Sequence, residues 1–526
     1  MVNGKEVKPV LAMYGFRGKQ AYIYKTNKIK EVAGASKIIE NGFEILYDLA
    51  ENLGYKLEGR KKEEVKEFNI NQLFIEDDDR DGVEVYQGGG NLFILYRNKE
   101  IALTINKKFT KELIESTYSL KASCAFIELT KKQENVDIGE AWRKRDFKED
   151  RCKLIEKYER IENQELAMEP YSTLPFVQID ARTSQPLEFT IKIEDKQEKL
   201  SRESWLKIQK YNNTNQNSKD NPFEDYSNLL DEYITKKGEE SLLAIIYIDG
   251  NNMGNKVNQC LKNIPKGNNY DCCVKALRAF SSEIHNVYIE KGLQRVKEKL
   301  DELLKTNDKL REPLGYRKII AAGDEITIIC NARIAFEITK AYLEGLPDNY
   351  SSCAGISIFH SHDPYSNAYK IAEECCESAK EISHKYVDME CCVLDFHFCH
   401  AGIDTSLREI RKKDEIAISR PWLVKKKETG NGDSAVIDII DLDKVKKMKN
   451  QLSKMARSNR MALTEAAVRG RAEFAHELER VLANTDVEEE INLDGLDLEE
   501  EKKIQLIYDI GLVYDLWFDK GEMTNE

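Results

Sequence analysis

The chain has 526 residues, with 93 acidic against 80 basic side chains and a formal net charge of −13. That length holds two to four domains of ordinary size, and 41% hydrophobic with 33% charged residues is a globular composition, not a disordered or membrane one. The acidic balance speaks against a protein that grips duplex nucleic acid mainly through its phosphates.

No run of about 18 apolar residues occurs, so no transmembrane helix is expected. The opening MVNGKEVKPVLAMYGF has neither an apolar core nor a small-residue cleavage site and does not read as a secretory signal. The 12 cysteines lie in apolar strands (Cys330, Cys353) or as adjacent pairs (Cys272–Cys273, Cys375–Cys376, Cys391–Cys392). Adjacent cysteines rarely bridge each other, so these read as the reduced thiols of a cytoplasmic protein.

In chain order, VLAMYGF (10–16) is a strand, and residues 25–54 follow as one long helical pattern. VYQGGGNLFILY (85–96) is a hairpin with Gly88, Gly89, Gly90 and Asn91 at its tip, and SCAFIEL (123–129) closes the set. Residues 136–240 are polar and charged, most loop-like at NNTNQNSKDNPFEDYS (212–227). Their one cysteine, Cys152, cannot make a CxxC-type zinc ribbon. SLLAIIYID (241–249) is an apolar run suited to a strand buried on both faces, ending in Asp249 before the turn Gly250-Asn251-Asn252-Met253-Gly254. RKIIAAGDEITIIC (317–330) is a tight hairpin around Gly323, Asp324 and Glu325. SSCAGISIFH (351–360) is a further strand, and YSNAYKIAEECCESAKEI (365–382) has helical spacing. Residues 444–482 read as helices with one basic face (Lys454, Arg457, Arg460, Arg469, Arg471), and 486–502 are acidic.

The two sets repeat one plan, strand–helix–hairpin–helix–strand, the βαββαβ order of ferredoxin-like palm domains. Gly15 and Gly89 stand 74 positions apart, as do Asp249 and Gly323, and SLKASCAFIEL matches NYSSCAGISIF. The first copy has lost the acids at both key places. The fold class expected is α+β: a degenerate first palm (1–135), an inter-palm linker or helical insert (136–240), a catalytic second palm (241–402) and a helical C-terminal domain (403–526).

Asp249 at a strand end and Asp324 at an adjacent hairpin tip would converge. Two carboxylates about 4 Å apart repel by roughly 4 kcal/mol at an effective dielectric of 20, so such a cluster calls for a cation. Two Mg²⁺ or Mn²⁺ ions held by Asp249, Asp324 and Glu325 would compensate charge on the attacking and leaving oxygens of a phosphoryl transfer. Gly250 and Gly323 let backbone approach a triphosphate, and Lys380 in Ser378-Ala379-Lys380-Glu381 can meet its oxygens as a point charge. A lone Asp after a strand is usually a turn or cap residue; the joint appearance of these acids at palm spacing turns the reading toward metal. His360, His362 and Asp363 read as loop residues, and His397, Cys399 and His400 match metal-ligand spacing only loosely.

As a set, these motifs resemble the large polymerase-cyclase subunit of type III CRISPR effector complexes, over roughly residues 1–425. That family places D-x-D-N-L-G after its first strand and G-G-D-D at its hairpin; here the stretches read Asp249-Gly250-Asn251-Asn252-Met253-Gly254 and Ala322-Gly323-Asp324-Glu325. Ala379-Lys380 matches the end of the family's closing helix, and ISRPWLV (418–424) is similar to its Arg-Pro-aromatic segment. LPFVQIDARTSQPL (174–187) and LSRESWLK (200–207) look like inter-palm segments of its stand-alone relatives. The resemblance implies synthesis of cyclic oligoadenylates from ATP and Mg²⁺ in antiviral defence. Asp249, Asp324 and Glu325 would be the catalytic metal ligands. Gly250, Asn252, Gly254, Gly323 and Lys380 would bind nucleotide. Gly88, Gly89, Gly90, Asn91 and Lys19 would seat a second ATP across the palm pair, with Arg17, Lys25 and Lys28 facing triphosphate. CRISPR-type protein partners, RNA and a homo-oligomer are compatible with it, and a membrane is not.

The chain departs from the family at Asn251 and Ala322, and neither an HD nuclease domain nor the zinc element between palms is evident, as in a reduced stand-alone relative. Two other readings stay open. One is an inactive palm pair that senses RNA or a ligand through the C-terminal basic face. The other is a diguanylate-cyclase-like enzyme, whose G-G-D-E-F hairpin is similar, or a templated polymerase.

Overall fold

The computed structural model describes residues 8–26, 28–59, 69, 73–74, 78–129, 145–163, 177–193, 196–217, 241–267, 269–306, 316–361, 363–385, 390–399, 406–413, 418–427, 439–483 and 498–518. It is a mixed α+β structure with three sheets among the described residues. Contacts divide the chain into two compact units: 1–221 with 252–286, and 222–251 with 287–526.

In the first unit, the apolar strand β1 (Val10–Arg17) is central. It pairs antiparallel with β4 (Asn91–Tyr96) and β5 (Lys121–Glu128); β3 (Gly82–Gly88) and the short β2 (Leu57–Glu58) extend the sheet, in the order β2-β3-β4-β1-β5. The long helical pattern of 25–54 is two helices, α2 (Ile29–Glu40) and α3 (Glu44–Asn52), after a short α1 (Lys19–Ile23). Helices α4 (Lys99–Thr117), α5 (Phe147–Glu162) and α6 (Arg202–Asn217) complete the unit, with the hairpin of β6 (Leu187–Ile193) and β7 (Lys196–Ser201). Helices α7 (Met253–Lys262) and α8 (Tyr270–Ile284), read from sequence as part of the second repeat, pack here instead. The reason is apolar: Leu261, Tyr270, Cys273, Val274 and Leu277 are buried against Val83, Val85 and Phe93 of the first sheet.

The segments at 178–187 and 200–207 have a structural role in this unit. Gln185 Nε2 donates to Glu203 Oε2 at 2.6 Å, Lys207 Nζ donates to Glu203 Oε1 at 2.6 Å, and Ser204 Oγ donates to Glu31 Oε2 at 2.7 Å. All five side chains are buried, and buried charges persist only when paired.

In the second unit, β8 (Leu242–Gly250) is central to a six-stranded sheet. It pairs antiparallel with β10 (Glu325–Asn331) and β11 (Ser352–His360), and β9 (Tyr316–Ala322) pairs antiparallel with β10. The order β11-β8-β10-β9 repeats β5-β1-β4-β3 of the first unit, the order that a βαββαβ path produces. Beyond it lie β12 (Glu390–Phe398), parallel to β11 through a helical crossover, and β13 (Trp422–Lys427) at the edge. The stretch beyond 403, expected to be wholly helical, therefore contributes a strand. The register also corrects the string match: Gly15 faces Ser123 and Asp249 faces Cys353, so the equivalent residues are one position off the alignment of the two Ser-Cys pairs.

The helices of this unit are α9 (Lys291–Thr306), preceded by a π-helical turn His285–Glu290, α10 (Ala332–Glu344), α11 (Tyr365–Lys385), α12 (Leu407–Lys413), α13 (Leu442–Ser453), α14 (Arg457–Arg469), α15 (Arg471–Ala483) and α16 (Glu500–Val513). Helix α11 lies against β11, where Gly355 admits its backbone. A Cβ at Gly355 would stand 1.9 Å from the Ala372 carbonyl oxygen. Gly355→Ala is therefore expected to cost about 1–3 kcal/mol, read as a lowered melting temperature. Gly254→Ala is the contrasting control: its Cβ enters open space on a helix, and a small stabilisation of about 0.5–1 kcal/mol is expected.

The ISRPWLV segment anchors the C-terminal helices. Asp509 on α16 is fully buried and accepts hydrogen bonds from Ser419 N (2.6 Å), Ser419 Oγ (2.7 Å) and Arg420 N (3.1 Å), and it pairs with the Arg420 guanidinium. Arg420 also stacks 4.4 Å over Phe396. Asp395 receives both arms of Arg411 at 2.8 Å. Trp422 and Trp517 stack beside this network, their ring centres 5.9 Å apart.

Candidate active site

Strand β8 is apolar through Ile248, and Asp249 is its first charged side chain. The β9–β10 hairpin turns through Gly323 and Asp324, since Ala322 and Glu325 are the last facing pair. Gly323 has φ +66°, while Asp324 keeps a negative φ, so a glycine is required at the first turn position. This tight turn holds Asp324 at the end of β10, which lies beside β8. The two carboxyls meet there: burial pushes Asp324 up to about 7, and the neighbouring Asp249 charge and hydrogen bond add to the rise. Lys380, on α11, forms an ion pair with Asp249. Burial pulls the Lys380 ammonium down, but the charge and hydrogen bond of Asp249 outweigh it and leave it above its usual value. Asp249 and Lys380 side chains are 27% and 23% exposed, so a ligand from solvent can reach them.

Continuing the β8–β10 register one step past Ile326–Ile248 sets Glu325 opposite Asp249. Glu325 lies near the buried Tyr247, whose hydroxyl it pushes up after burial itself has done so. Among the described residues no group of three or more His, Cys, Asp or Glu side chains is arranged to hold a metal. Of the three acids read from sequence, Asp249 and Asp324 meet, and Glu325 lies opposite Asp249 in the sheet register. Tyr288 and Tyr342 also lie close enough to Asp324 to feel its charge. Sequence gave no sign of these tyrosines, because the π-helical turn and α10 bring them from outside the motifs.

The other expected site residues divide. Gly250 ends β8. Asn252 takes a left-handed φ of 58°, which asparagine tolerates, and caps α7, whose first turn holds Gly254. In the first unit, Gly89 and Gly90 have φ of 59° and 73°, the pattern of a type I′ turn between Gly88 and Asn91. Lys19 reaches this tip: a Cβ on Gly90 would lie 2.3 Å from its Nζ. The place of Asp249 is taken by Gly15, which pairs with Asn91, and a Cβ there would strike the Tyr158 hydroxyl at 2.1 Å. No carboxyl occupies either key position of this copy.

Of the basic residues expected to face triphosphate, Arg17, Lys25 and Lys28 are held by protein. Lys25 pairs with Glu203 at 3.1 Å, Lys28 pairs with Glu198, and Arg17 donates to the Glu162 carbonyl. The C-terminal basic face is likewise paired: Arg457 with Asp515 (2.9 Å), Arg469 with Glu465 (3.7 Å) and Arg471 with Glu500, while Arg460 stacks 4.0 Å over Tyr514. Two of these acids, Asp515 and Glu500, come from distant parts of the sequence, and Glu465 lies one turn back on the same helix as Arg469. His360 and Asp363 bond each other through a turn, as loop residues do, and His397 is buried on β12. His362 and His400 lie outside the described residues. All 12 cysteines are free thiols. No helix among the described residues is long and apolar enough to cross a membrane.

The raised Asp324 carboxyl sets a pH dependence. Its folded value lies above its unfolded value, so the folded protein holds a proton that the unfolded chain releases between about pH 4 and 7. Stability from this group is full at low pH and is lost as pH rises through about 7. Metal-free protein is expected to melt at a lower temperature at pH 8 than at pH 6, and Asp324→Asn to flatten that slope.

No family model matches the chain, and no curated protein matches it. Solved structures similar to it include those of Csm1 of type III CRISPR Csm complexes. The Csm1–Csm4 cassette in complex with cA4 is 12% identical with a TM-score of 0.48, over 96% of this chain and 70% of that one. The apo cassette is 13% identical with a TM-score of 0.47, over 98% and 70%. Csm1 in T. onnurineus is 13% identical with a TM-score of 0.44, over 97% and 70%. At these identities and scores the likeness is a loose one.

Proposed function

We propose that this chain is a metal-dependent nucleotidyltransferase that converts ATP to cyclic oligoadenylate, built on one catalytic and one degenerate palm. The observation that carries the reading is the meeting of Asp249 and Asp324 at the β8 end and the β9–β10 tip, with Lys380 on Asp249. Two half-buried carboxyls facing each other are unfavourable unless a cation or a proton compensates them. Their oxygens are the hard donors that Mg²⁺ and Mn²⁺ select, so the donor set fits, and Glu325, opposite Asp249 in the sheet register, is the third acid of the proposed set. A bound divalent ion would supply charge compensation for the attacking hydroxyl and the leaving pyrophosphate.

The residues of the chain have separate tasks. Asp249 and Asp324 would hold the ion, which keeps Asp324 ionised. Lys380 orients Asp249 and offers a positive charge to a triphosphate. Gly323 lets a nucleotide come close to backbone. In the first copy, Lys19 lies over Gly90 at the hairpin tip, and this copy, without a carboxyl at either key position, is assigned nucleotide binding and not catalysis. Adenine as the base, antiviral signalling and CRISPR-type or RNA partners rest on the motif resemblance. The sensor reading draws little support from the C-terminal basic face, where Arg457, Arg469 and Arg471 are in ion pairs.

The test is purified protein with each of the four nucleoside triphosphates and Mg²⁺ or Mn²⁺, products separated by chromatography and mass spectrometry, with Asp249→Ala alongside. Oligoadenylate made by the unmutated protein alone is the expected result. Equal product from Asp249→Ala, or none under any metal with or without RNA, would overturn the reading.

A further inference from the structure

Asn251 stands where the resembled motif has its second acid, two residues beyond Asp249, and an acid there would invite a reading as a metal ligand. The structure gives it a different surrounding. The side chain is 1% exposed, and its Nδ2 donates to Ser351 Oγ (3.1 Å), Ser383 Oγ (3.2 Å) and the Cys391 carbonyl (3.0 Å). Its backbone N donates to the Ser351 carbonyl at 2.9 Å, an oxygen that also accepts from the Tyr288 hydroxyl at 3.1 Å. The thiol of Cys353, which faces Asp249 across β8 and β11, lies against the same amide.

The partners of this one amide come from separate elements. Ser351 directly precedes β11, Cys391 lies on β12, and Ser383 is on α11, three residues beyond Lys380. Tyr288, on the π-helical turn, feels the charge of Asp324. π-Helical turns inside helices recur at functional sites because they re-aim a side chain. We infer that Asn251 is a positioning residue, a bracket that fixes the Asp249 strand end to the helix carrying Lys380 and, through Ser351 and Tyr288, to the Asp324 side of the site. The inference rests on the proposed phosphoryl-transfer reading for its kinetic consequence, but the bracket itself is geometric.

Chemistry makes the bracket sensitive to an isosteric change. Two of the three Nδ2 contacts are to hydroxyl oxygens, and the third is to a carbonyl, which can only accept. Aspartate has the same shape and no donor, so Asn251→Asp sets an anion against the Cys391 carbonyl in a buried place. A metal ligand would respond in the opposite sense, because aspartate there would add a charged oxygen donor.

The experiment compares the unmutated full chain with Asn251→Asp, Asn251→Ala and Ser383→Ala, with melting temperatures recorded for each. Ser383→Ala loses one contact on the Lys380 helix and creates no ligand, so it tests the bracket even if the Asn251 variants fail to fold. Two readouts are taken: kcat and KM for ATP, and binding of Mn²⁺ by electron paramagnetic resonance without nucleotide. Expected are a kcat lowered about tenfold or more in both Asn251 variants and severalfold in Ser383→Ala, with the KM for ATP within about threefold. Mn²⁺ binding is expected to weaken severalfold in Asn251→Ala and Ser383→Ala, and not to tighten in Asn251→Asp. Tenfold tighter Mn²⁺ binding or faster turnover in Asn251→Asp would overturn the inference in favour of a metal ligand. Unchanged Mn²⁺ binding in Asn251→Ala and Ser383→Ala would overturn it as well. If the unmutated protein makes no product, the catalytic reading fails by itself, and the Mn²⁺ arm still decides the bracket.

Discussion

Asp324→Ala is expected to lower oligoadenylate synthesis by about 10²-fold or more while leaving the protein at least as stable at pH 8. The two halves of that result have one cause. Asp324 sits where burial and the facing Asp249 oppose its ionisation. Without a compensating cation, its charged form is a cost to the fold, so its removal relieves the unbound protein. In the reacting complex the same charge is needed, because a carboxyl at the hairpin tip is one of two that would hold the divalent ion. A structural carboxylate would behave differently: its loss would lower the melting temperature and leave turnover in the surviving folded fraction. The measurement is turnover with ATP and Mg²⁺ beside a thermal melt at pH 8. A destabilised variant with normal specific activity would remove Asp324 from the proposed site.

Asp509→Ala is expected to cost about 3–5 kcal/mol, because it leaves the Arg420 guanidinium buried beside one acid fewer. In a unit of this size that is a fall of about 6–12 °C in melting temperature. Four groups depend on Asp509: the Ser419 amide and hydroxyl, the Arg420 amide and its guanidinium. Burial nevertheless pushes the Asp509 carboxyl up, so the pair as a whole contributes less than the loss of one partner suggests. The double variant Arg420→Met with Asp509→Leu is accordingly expected to recover much of the stability. Limited proteolysis adds a local readout, since α16 is held to β13 by this network and should become cleavable in the single variant. A single variant with unchanged melting and proteolysis would show that the anchor lies elsewhere, with Trp422 and Trp517.

Much of the architecture could be read from apolar runs and turn residues. The strands at Val10, Leu242 and Ser352 are continuous apolar segments, and a strand buried on both faces has few other solutions. The hairpins at Gly88–Asn91 and Ala322–Glu325 were legible because two-residue turns demand positive φ, and glycine supplies it. The spacing of 74 residues in both copies then pointed to one plan used twice. Less legible were elements whose place depends on long-range packing. Helices α7 and α8 follow Asp249 in sequence but bury their apolar faces with the first sheet, and no local pattern states which core a helix will join. Strand β13 falls in the stretch whose pattern predicts helices, because a short edge strand is defined by its partner β12 more than by its own residues.

The identity of Asp249, Asp324 and Lys380 as a set was determined by the sequence, since strand end, hairpin tip and helix each follow from local periodicity and turn chemistry. Which charges around them are available was decided by the tertiary structure alone. Lys25, Lys28, Arg457 and Arg471 are basic wherever they stand, but each has an acid supplied by the fold. Asn251 likewise has three partners drawn from positions 351, 383 and 391, and its role depends on them. The physical reason is the range of the forces. Backbone conformation is set by neighbours a few residues away, whereas ionisation and hydrogen bonding depend on whatever the completed fold brings within a few ångströms.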